Sequence, residues 1–219
     1  MTTAPRTPVP LPASAVAIGS RPSMVPEIPS GLVAGSPCPT CHRRPKVSGT
    51  HATVLDLAGQ GLDPDLIDRA YRWAWDTAAL YTRVAARCLR ANNTAHAVDI
   101  AVRAGLIAAP EFPDDDRPAV TDVLRTTGQL LADGHTQARI AEIRGVHSRT
   151  VATSVRRLYD ELDVTSAAAV VLTLHSLGLL ATAHPCPCQP VGALTSGILP
   201  HLATLPRTRR PTCSRPVPL

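Results

Sequence analysis

Aromatic side chains and lysine are scarce in this chain. Only 3% of its 219 residues are aromatic, and of the 22 lysines and arginines only Lys46 is a lysine. A core with so few aromatic side chains has to be built from alanine, valine and leucine, and the alanine and leucine favour helices. The 22 prolines are concentrated at the two ends and leave a middle in which helices can continue. We therefore expect an all-α fold with Pro-rich ends.

Motifs for catalysis, export and membrane insertion are also missing. There is no phosphate-cradling glycine loop, no nucleophile motif and no pair of carboxylates in a defined frame, so we expect no enzyme activity. The apolar residues 13–18 are too few and too closely flanked by proline for a signal peptide. Residues 165–183 carry no charge, but their serine, threonine and alanine content makes a poor membrane span. A cytoplasmic protein without membrane contact is expected.

Residues 134–180 hold the clearest helical pattern, three short helices separated by two tight breaks. Apolar side chains of the second helix recur at the spacing of one helical face, namely Val151, Val155, Leu158 and Leu162. The predicted caps and stops are Thr136 and Gly145 around the first helix, His147 and Ser148 at the start of the second, and Thr165 or Ser166 and Gly178 around the third. Two short helices joined by about four residues around a glycine describe a helix-turn-helix.

This stretch resembles the LuxR-type (GerE-like) DNA-binding domain, a four-helix helix-turn-helix of transcription regulators. The resemblance, at ungapped spacing, rests on Gly134, Ile140, Ala141, Gly145, Val146, Thr150, Val151, Val155, Leu158, Leu162, Val164, Val171, Gly178 and Leu179. A preceding helix, from about residue 117 to 133, matches the family's first helix through Val123, Leu124, Leu130 and Leu131. The resemblance implies a sequence-specific transcription regulator that binds double-stranded DNA, with residues 148–162 entering the major groove.

The outward side of that second helix agrees with a DNA-binding role. An arginine can hold a phosphate or a guanine edge with two hydrogen bonds, and threonine can do either more weakly. The candidate DNA-binding residues are Arg149, Thr150, Thr153, Arg156 and Arg157. We expect Arg149 to read a base and Arg156 and Arg157 to contact phosphate. The alternative is an ordinary solvated helix surface; the net charge of +5 suits an anionic partner without requiring one.

Four positions depart from the family pattern. Ala152 stands where a basic residue is usual, Ser154 where histidine is frequent, Glu161 where lysine is frequent and Asp163 where glycine is frequent. Each of these residues removes or reverses a positive charge, and we expect the four positions to lie near the DNA-facing side. Because backbone affinity depends on the number of phosphates neutralised, we expect weak binding or binding that needs two copies.

An earlier part of the chain repeats this pattern. Gly61 aligns with Gly134, and the same difference in residue number, the repeat offset, aligns further positions without a gap. The other pairs are Ile67 with Ile140, Thr77 with Thr150, Leu89 with Leu162, Val98 with Val171, Gly105 with Gly178 and Leu106 with Leu179. We therefore expect two tandem four-helix LuxR-type domains, at residues 49–108 and 117–183, with a linker at residues 109–116.

The first copy is altered where the turn should lie. Asp68 stands opposite Ala141, Arg72 opposite Gly145, Trp73 opposite Val146 and Asp76 opposite Arg149. An acidic side chain at the start of the groove helix interacts favourably with the helix dipole but repels DNA phosphates. Two interpretations stay open. The copy keeps some DNA contact through Arg83, Arg87 and Arg90, or it is a packing or dimerisation module, with Trp73 and Trp75 offered to a protein partner in an adaptor that has lost DNA binding.

Cysteines lie on both sides of the helical region. Cys38 and Cys41 form a C-x-x-C pair followed by His42, and a zinc half-site of this kind could be completed by His184, Cys186 and Cys188. A redox pair lacks its βαβ surroundings, and c-type haem attachment lacks an export signal. The remaining interpretation is two unrelated reduced clusters without a cofactor. Cys88 lies next to Leu89 within a helix and is expected to be a structural thiol and not a ligand. Disulfides are not expected, since they are rare inside cells.

The remaining segments receive simpler interpretations. Residues 1–36 are predicted to be a disordered Pro-rich arm, residues 37–48 a Cys/His segment and residues 184–219 a Pro/Arg-rich tail. The tail either adds non-specific phosphate contacts or is solvated without a partner. Asp114, Asp115 and Asp116 are expected to favour the start of the next helix. The apolar side of the fourth helix either pairs two subunits or is buried within the monomer through Val170, Leu174 and Leu177.

Overall fold

The structure, a computed structural model, describes residues 28–29, 31–38, 42–112 and 117–180. Within these ranges the chain is mostly helical, with one pair of short strands. The elements in chain order are β1 Leu32–Ala34, β2 Lys46–Ser48, α1 Gly49–Gly59, α2 Pro64–Tyr71, α3 Thr77–Leu89, α4 Thr94–Arg103, α5 Asp122–Ala132, α6 Gln137–Arg144, α7 Ser148–Leu162 and α8 Ala167–Ser176. The predicted helical class is confirmed in this coarse form.

The repeat offset that relates the two parts of the sequence also relates their helices. When the repeats are aligned by this offset, α1, α2 and α4 begin and end at the same aligned positions as α5, α6 and α8. The end of α3 likewise coincides with the end of α7. The helix caps follow it as well, because a side chain accepts a hydrogen bond from the first helical turn at Ser48 and Thr121, at Asp63 and Thr136, and at Asn93 and Ser166. The predicted cap Thr136 is confirmed, and Ser166 is the cap of α8.

The two strands form a small sheet that the sequence interpretation missed. β1 and β2 pair antiparallel, with Val33 opposite Val47. Val47 is fully buried in the core while its neighbour Lys46 is exposed. The assignment of residues 1–36 to a disordered arm is therefore wrong for residues 32–34, and the Cys/His segment ends in a strand. Three-residue strands are too short to give a period-2 signal that can be recognised in a sequence.

The helices α4 and α8 lie at the centre of the molecule and pack against each other. Around them, α1 contacts α4 and α8, and α5 contacts α8 and α4. Val170 and Leu174 are completely buried within this one chain, and Leu177 is 7% exposed. Of the two expectations for the fourth helix, burial within the monomer is the one that the structure supports.

The helix α5 begins later than predicted. It starts at Asp122, where the Oγ1 atom of Thr121 accepts from the Leu124 N–H, and not near Arg117. Pro118 disfavours helical backbone at Arg117, and the cap at Thr121 sets the start of the helix at Asp122. The three aspartates 114–116 are therefore not adjacent to the helix start, and they lie outside the described residues. The same holds for residues 1–27 and 181–219, so the arm, the tail and the exact domain boundaries stay predictions.

No helix in the described part of the chain combines the length and the apolar character that crossing a membrane requires.

Candidate nucleic-acid interface

The turn between α6 and α7 is built as the sequence predicts. Gly145 adopts a left-handed backbone with φ of 62°. Its N–H donates to the Glu142 carbonyl at 3.2 Å, and the Val146 N–H donates to the Ala141 carbonyl at 3.0 Å. This pair of bonds satisfies the last carbonyls of α6 in a Schellman motif. The chain is thereby turned sharply, and α7 starts after only three residues, 145–147.

One face of α7 is fixed in the core. Val151 and Leu158 are fully buried, Val155 is 3% exposed and Leu162 is 7% exposed. They pack against α5 and α6, where Ile140 is also fully buried. Burial of one such side chain contributes roughly 1.5–3 kcal/mol, so the rotation of α7 about its own axis is strongly determined. The predicted apolar face is confirmed.

The opposite face of α7 presents the five candidate DNA-binding residues. All are exposed: Arg149, Thr150, Thr153, Arg156 and Arg157. Among the described residues, no carboxylate forms an ion pair with any of these three arginines. The guanidinium groups therefore remain available to an external anion.

A shallow depression of about 700 Å³ lies at the amino end of this face. Its lining contains two arginines, four hydroxyl side chains and one imidazole, and it contains no carboxylate: His147, Ser148, Arg149, Thr150, Thr153, Ser154 and Arg157. The cap residue His147 makes no side-chain hydrogen bond to the first turn of α7. Backbone N–H groups at such a helix start are suited to phosphate oxygens. The depression thus combines donors and positive charge, and lacks negative charge.

Negative charge is confined to the other end of α7. Asp160 and Glu161 are exposed in its last turn, and Asp163 follows in a left-handed conformation with φ of 51°. Ala152 is exposed. Ser154 is different, because it is only 8% exposed and its hydroxyl donates to the Thr150 carbonyl at 3.1 Å. Ser154 is largely buried but also lines the depression, so the loss of positive charge expected at this position stays a prediction.

The equivalent turn in the first copy is built differently. Arg72 takes the left-handed position of Gly145 with φ of 55°, and α3 starts only at Thr77, after a left-handed Asp76. Asp76 makes no cap hydrogen bond. Instead the buried Asp68 accepts from the Ala78 N–H at 2.7 Å. Asp68 thus caps α3 from the preceding helix, a role that the sequence did not indicate because the two residues are ten positions apart.

The outer face of α3 has lost the charge pattern of α7. Asp76 pairs with Arg83 at 3.0 Å, and Arg83 is the counterpart of Arg156 under the repeat offset. Leu80, the counterpart of Thr153, is 44% exposed. Arg87 and Arg90 are exposed at the far end, where α7 and its cap carry Asp160 and Asp163. The two faces therefore have opposite charge at both ends.

The two tryptophans of the first copy have different surroundings. Trp73 stacks on Tyr71 with ring centroids 4.9 Å apart and meets Tyr81 edge to face at 5.2 Å. It is thus held by intramolecular contacts. Trp75 is 85% exposed. Of the two side chains proposed for a protein partner, Trp75 is the one that projects into solvent.

The cysteines give no support to a zinc site within the described residues. Cys38 is buried, whereas Cys41, Cys186 and Cys188 lie outside the part of the chain that the structure describes. Within that part, no three His, Cys, Asp or Glu side chains lie close enough to share a metal ion. Cys88 takes part in a disulfide bond, so its interpretation as a reduced thiol is wrong. Zinc through the four predicted cysteines stays a prediction.

Comparison of the chain with models of protein families, with curated proteins and with solved structures finds no match.

Proposed function

We propose that this protein is a transcription regulator of LuxR type that binds duplex DNA in a sequence-specific manner through α7. The observation that supports the proposal is the division of α7 into two faces. Val151, Val155 and Leu158 are buried, and Arg149 and Arg156 point outward without an ion-pair partner among the described residues. A helix of this kind can enter the major groove without exposing its apolar side.

Each part of the outer face has its own task in this proposal. Arg149, in the first turn, donates two hydrogen bonds to a guanine edge. Arg156 and Arg157, two turns further, contact phosphates and fix the position of the helix on the duplex. Thr150 and Thr153 add hydroxyl donors beside Arg149. The acidic last turn of α7 stays at a distance from the phosphate backbone of the DNA.

The repeated helices complete the proposal at the level of the fold. The helices α1–α4 and α5–α8 are two tandem LuxR-type domains in a cytoplasmic, bacterial regulator. The matching helix ends and caps at a constant offset support the duplication. The altered turn and the acid at position 76 support a first copy that does not read bases.

Replacement of both Arg149 and Arg156 by alanine tests the proposal. Duplexes are first selected from a random library with the wild-type protein, and binding of the selected duplex is then measured at low salt. We expect the double variant to lose roughly 2–5 kcal/mol of binding free energy, since one bidentate base contact contributes about 1–3 kcal/mol and a charge-assisted bond about as much. The control is Arg125→Ala, which removes an exposed arginine of α5 that is paired with Asp122 at 3.2 Å. Unchanged binding by the double variant would count against α7 as the groove helix.

A second candidate function is a protein-interaction adaptor. It is favoured by one observation, the 85% exposure of Trp75 beside the ion-paired Asp76. Exposed tryptophans are enriched among the residues that dominate protein interfaces. A protein without duplex affinity at low salt, but with a partner that Trp75→Ala releases and Trp73→Phe retains, would support this function over DNA binding.

A further inference from the structure

The two repeats contact each other reciprocally. A methyl group at Gly61 would lie 3.5 Å from the Ala169 Cβ, and a methyl group at Gly134 would lie 3.0 Å from the His96 Cβ. Gly61 and Gly134 are equivalent under the repeat offset, and so are His96 and Ala169. Each glycine therefore faces the same position of the other repeat.

Two hydrogen bonds follow the same rule. Thr165 donates through its Oγ1 to the Gly61 carbonyl at 3.4 Å, and Asn93 donates through its Nδ2 to the Gly134 carbonyl at 3.1 Å. Thr165 and Asn93 differ by one position when the repeats are aligned. The helices agree as well, because α1 contacts α8 and α5 contacts α4. In such a reciprocal contact, position i of one repeat meets position j of the other, and position j of the first meets position i of the second. This is the property of a two-fold interface and not of units that follow one another by translation.

A two-fold relation places α3 and α7 at equivalent positions about one axis. Helix-turn-helix dimers use this symmetry to insert two groove helices into successive major grooves, with half-sites about 10 bp apart. One chain of this protein thus holds its two repeats with the symmetry that such a reader normally obtains from two subunits.

The two helices differ, however, in what they offer to a base pair. Where α7 has Ser148, Arg149 and Thr153, the first copy has Trp75, Asp76 and Leu80, which are all exposed. The Asp76 carboxylate cannot donate to a guanine edge, and it is paired with Arg83. Exposed positive charge remains on the first copy at Arg87 and Arg90, which are suited to phosphates.

We propose that a single chain binds an asymmetric duplex site that spans two half-sites, in which α7 selects the bases of one half and the α3 side holds the backbone of the other half without base selection. This inference rests on the proposed function of α7. It identifies the ligand class as a non-palindromic duplex with both half-sites on one face, bound by one chain.

Selection from a random duplex library with the full-length protein is the first test. We expect a consensus confined to one half-site, hydroxyl-radical protection of two successive grooves about 10 bp apart, and one chain per duplex in analytical ultracentrifugation. A palindromic consensus, two chains per site or protection of a single groove would overturn the inference and leave the proposed function intact. Absence of any consensus would overturn both.

A graft between the repeats is the second test. The triple variant Trp75→Ser, Asp76→Arg, Leu80→Thr gives the first copy the outer residues of α7 at the equivalent exposed positions, two just before α3 and one within it, so the core is unchanged. We expect it to bind a duplex with inverted half-sites about 10-fold tighter than the wild type does, and to yield a more symmetric consensus. The mirror variant Ser148→Trp, Arg149→Asp, Thr153→Leu should lose base preference. A folded graft variant with an unchanged, one-sided consensus would show that α3 does not face a groove, and the inference would fail.

Discussion

The His175 Nε2 atom lies 2.9 Å from the Asp99 Oδ1 atom, and this contact joins α8 to α4 at the centre of the molecule. The same oxygen accepts from the Arg103 Nε at 2.9 Å. Asp99 is only 2% exposed, so its carboxylate depends on these two donors for the hydrogen bonds that water would otherwise supply. The interface between the repeats therefore contains a buried ion pair among mostly aliphatic side chains.

Loss of that carboxylate should destabilise the fold strongly. Asp99→Asn leaves the Arg103 guanidinium with a neutral partner in a site that is largely closed to water. We expect a decrease of about 3–5 kcal/mol in the free energy of unfolding, measured by urea titration with circular dichroism. The matched control is Asp122→Asn, since the side chain of Asp122 is 92% exposed in its ion pair with Arg125. A decrease below about 1 kcal/mol is expected there. Equal effects of the two substitutions would show that the central contact contributes no more than a surface pair.

The two equivalent glycines provide an internal comparison for the reciprocal contact. Gly61 and Gly134 share a left-handed backbone, with φ of 83° and 81°. Alanine at either position should cost about 1–2 kcal/mol for the backbone alone. At Gly134 the added methyl would also lie 2.7 Å from the His96 Nδ1, whereas at Gly61 the nearest atoms are 3.5 Å away. We expect Gly134→Ala to lose about 1–3 kcal/mol more than Gly61→Ala in urea unfolding. Equal losses would contradict the close approach of His96 to the second repeat.

Arg149 and Arg157 should be separable by the salt dependence of DNA binding. Arg157→Ala removes a phosphate contact in our proposal, so it should weaken binding of all duplexes alike and lower the slope of log K against log salt by about 1. Arg149→Ala should instead relax the preference at one base pair of the selected site. Titrations of wild type and both variants over a salt series, on the selected duplex and on single-base variants, measure the two effects. Identical behaviour of the two variants would contradict the division between reading and positioning.

His51 should make the stability of the fold depend on pH. Its ring is buried, its Nδ1 lies 2.7 Å from the Ser48 Oγ and its Nε2 makes no hydrogen bond to the described residues. Burial lowers the pKa of His51 below 6.5. Between that lowered pKa and 6.5 the unfolded chain binds more protons than the folded one, so the contribution of His51 is fully present above pH 6.5 and is lost as the pH falls through this window.

His51→Phe keeps an aromatic ring against Tyr81 but cannot bind a proton. We expect the unfolding free energy of the wild type to fall more steeply than that of the variant as the pH is lowered from 7 towards 5. Other titrating groups, including Asp56, whose pKa is raised by burial, are common to both proteins and cancel in the comparison. Parallel curves would show that the ring is not protonated differently in the two states.

The second repeat could be predicted from the sequence to a large extent, because its information is local. The spacing of Val151, Val155 and Leu158 fixes the face of α7, and Thr136 and Gly145 fix the start and the end of α6. Such signals depend on residues within one or two helical turns. The outward position of the candidate DNA-binding residues then follows as the complement of the buried face.

The features that could not be predicted depend on contacts between residues that are distant in sequence. Asp68 reads as an unfavourable replacement of a small residue, and only the fold shows that its carboxylate caps Ala78. The apolar side of α8 required burial, but the sequence could not distinguish a second subunit from α4 of the same chain. Cys88 shows the same limitation, because its oxidation state depends on a partner and not on its neighbours.

Because α4 and α8 pair within one polypeptide, ligand binding should depend on protein concentration differently from binding by a dimer. Two subunits that meet through such an interface separate when their concentration falls below the dissociation constant. Two repeats of one chain are held at a high effective concentration by the covalent connection, whatever the number of molecules in the solution. The occupancy of any ligand that needs both repeats should therefore rise hyperbolically with protein concentration, with no threshold set by assembly.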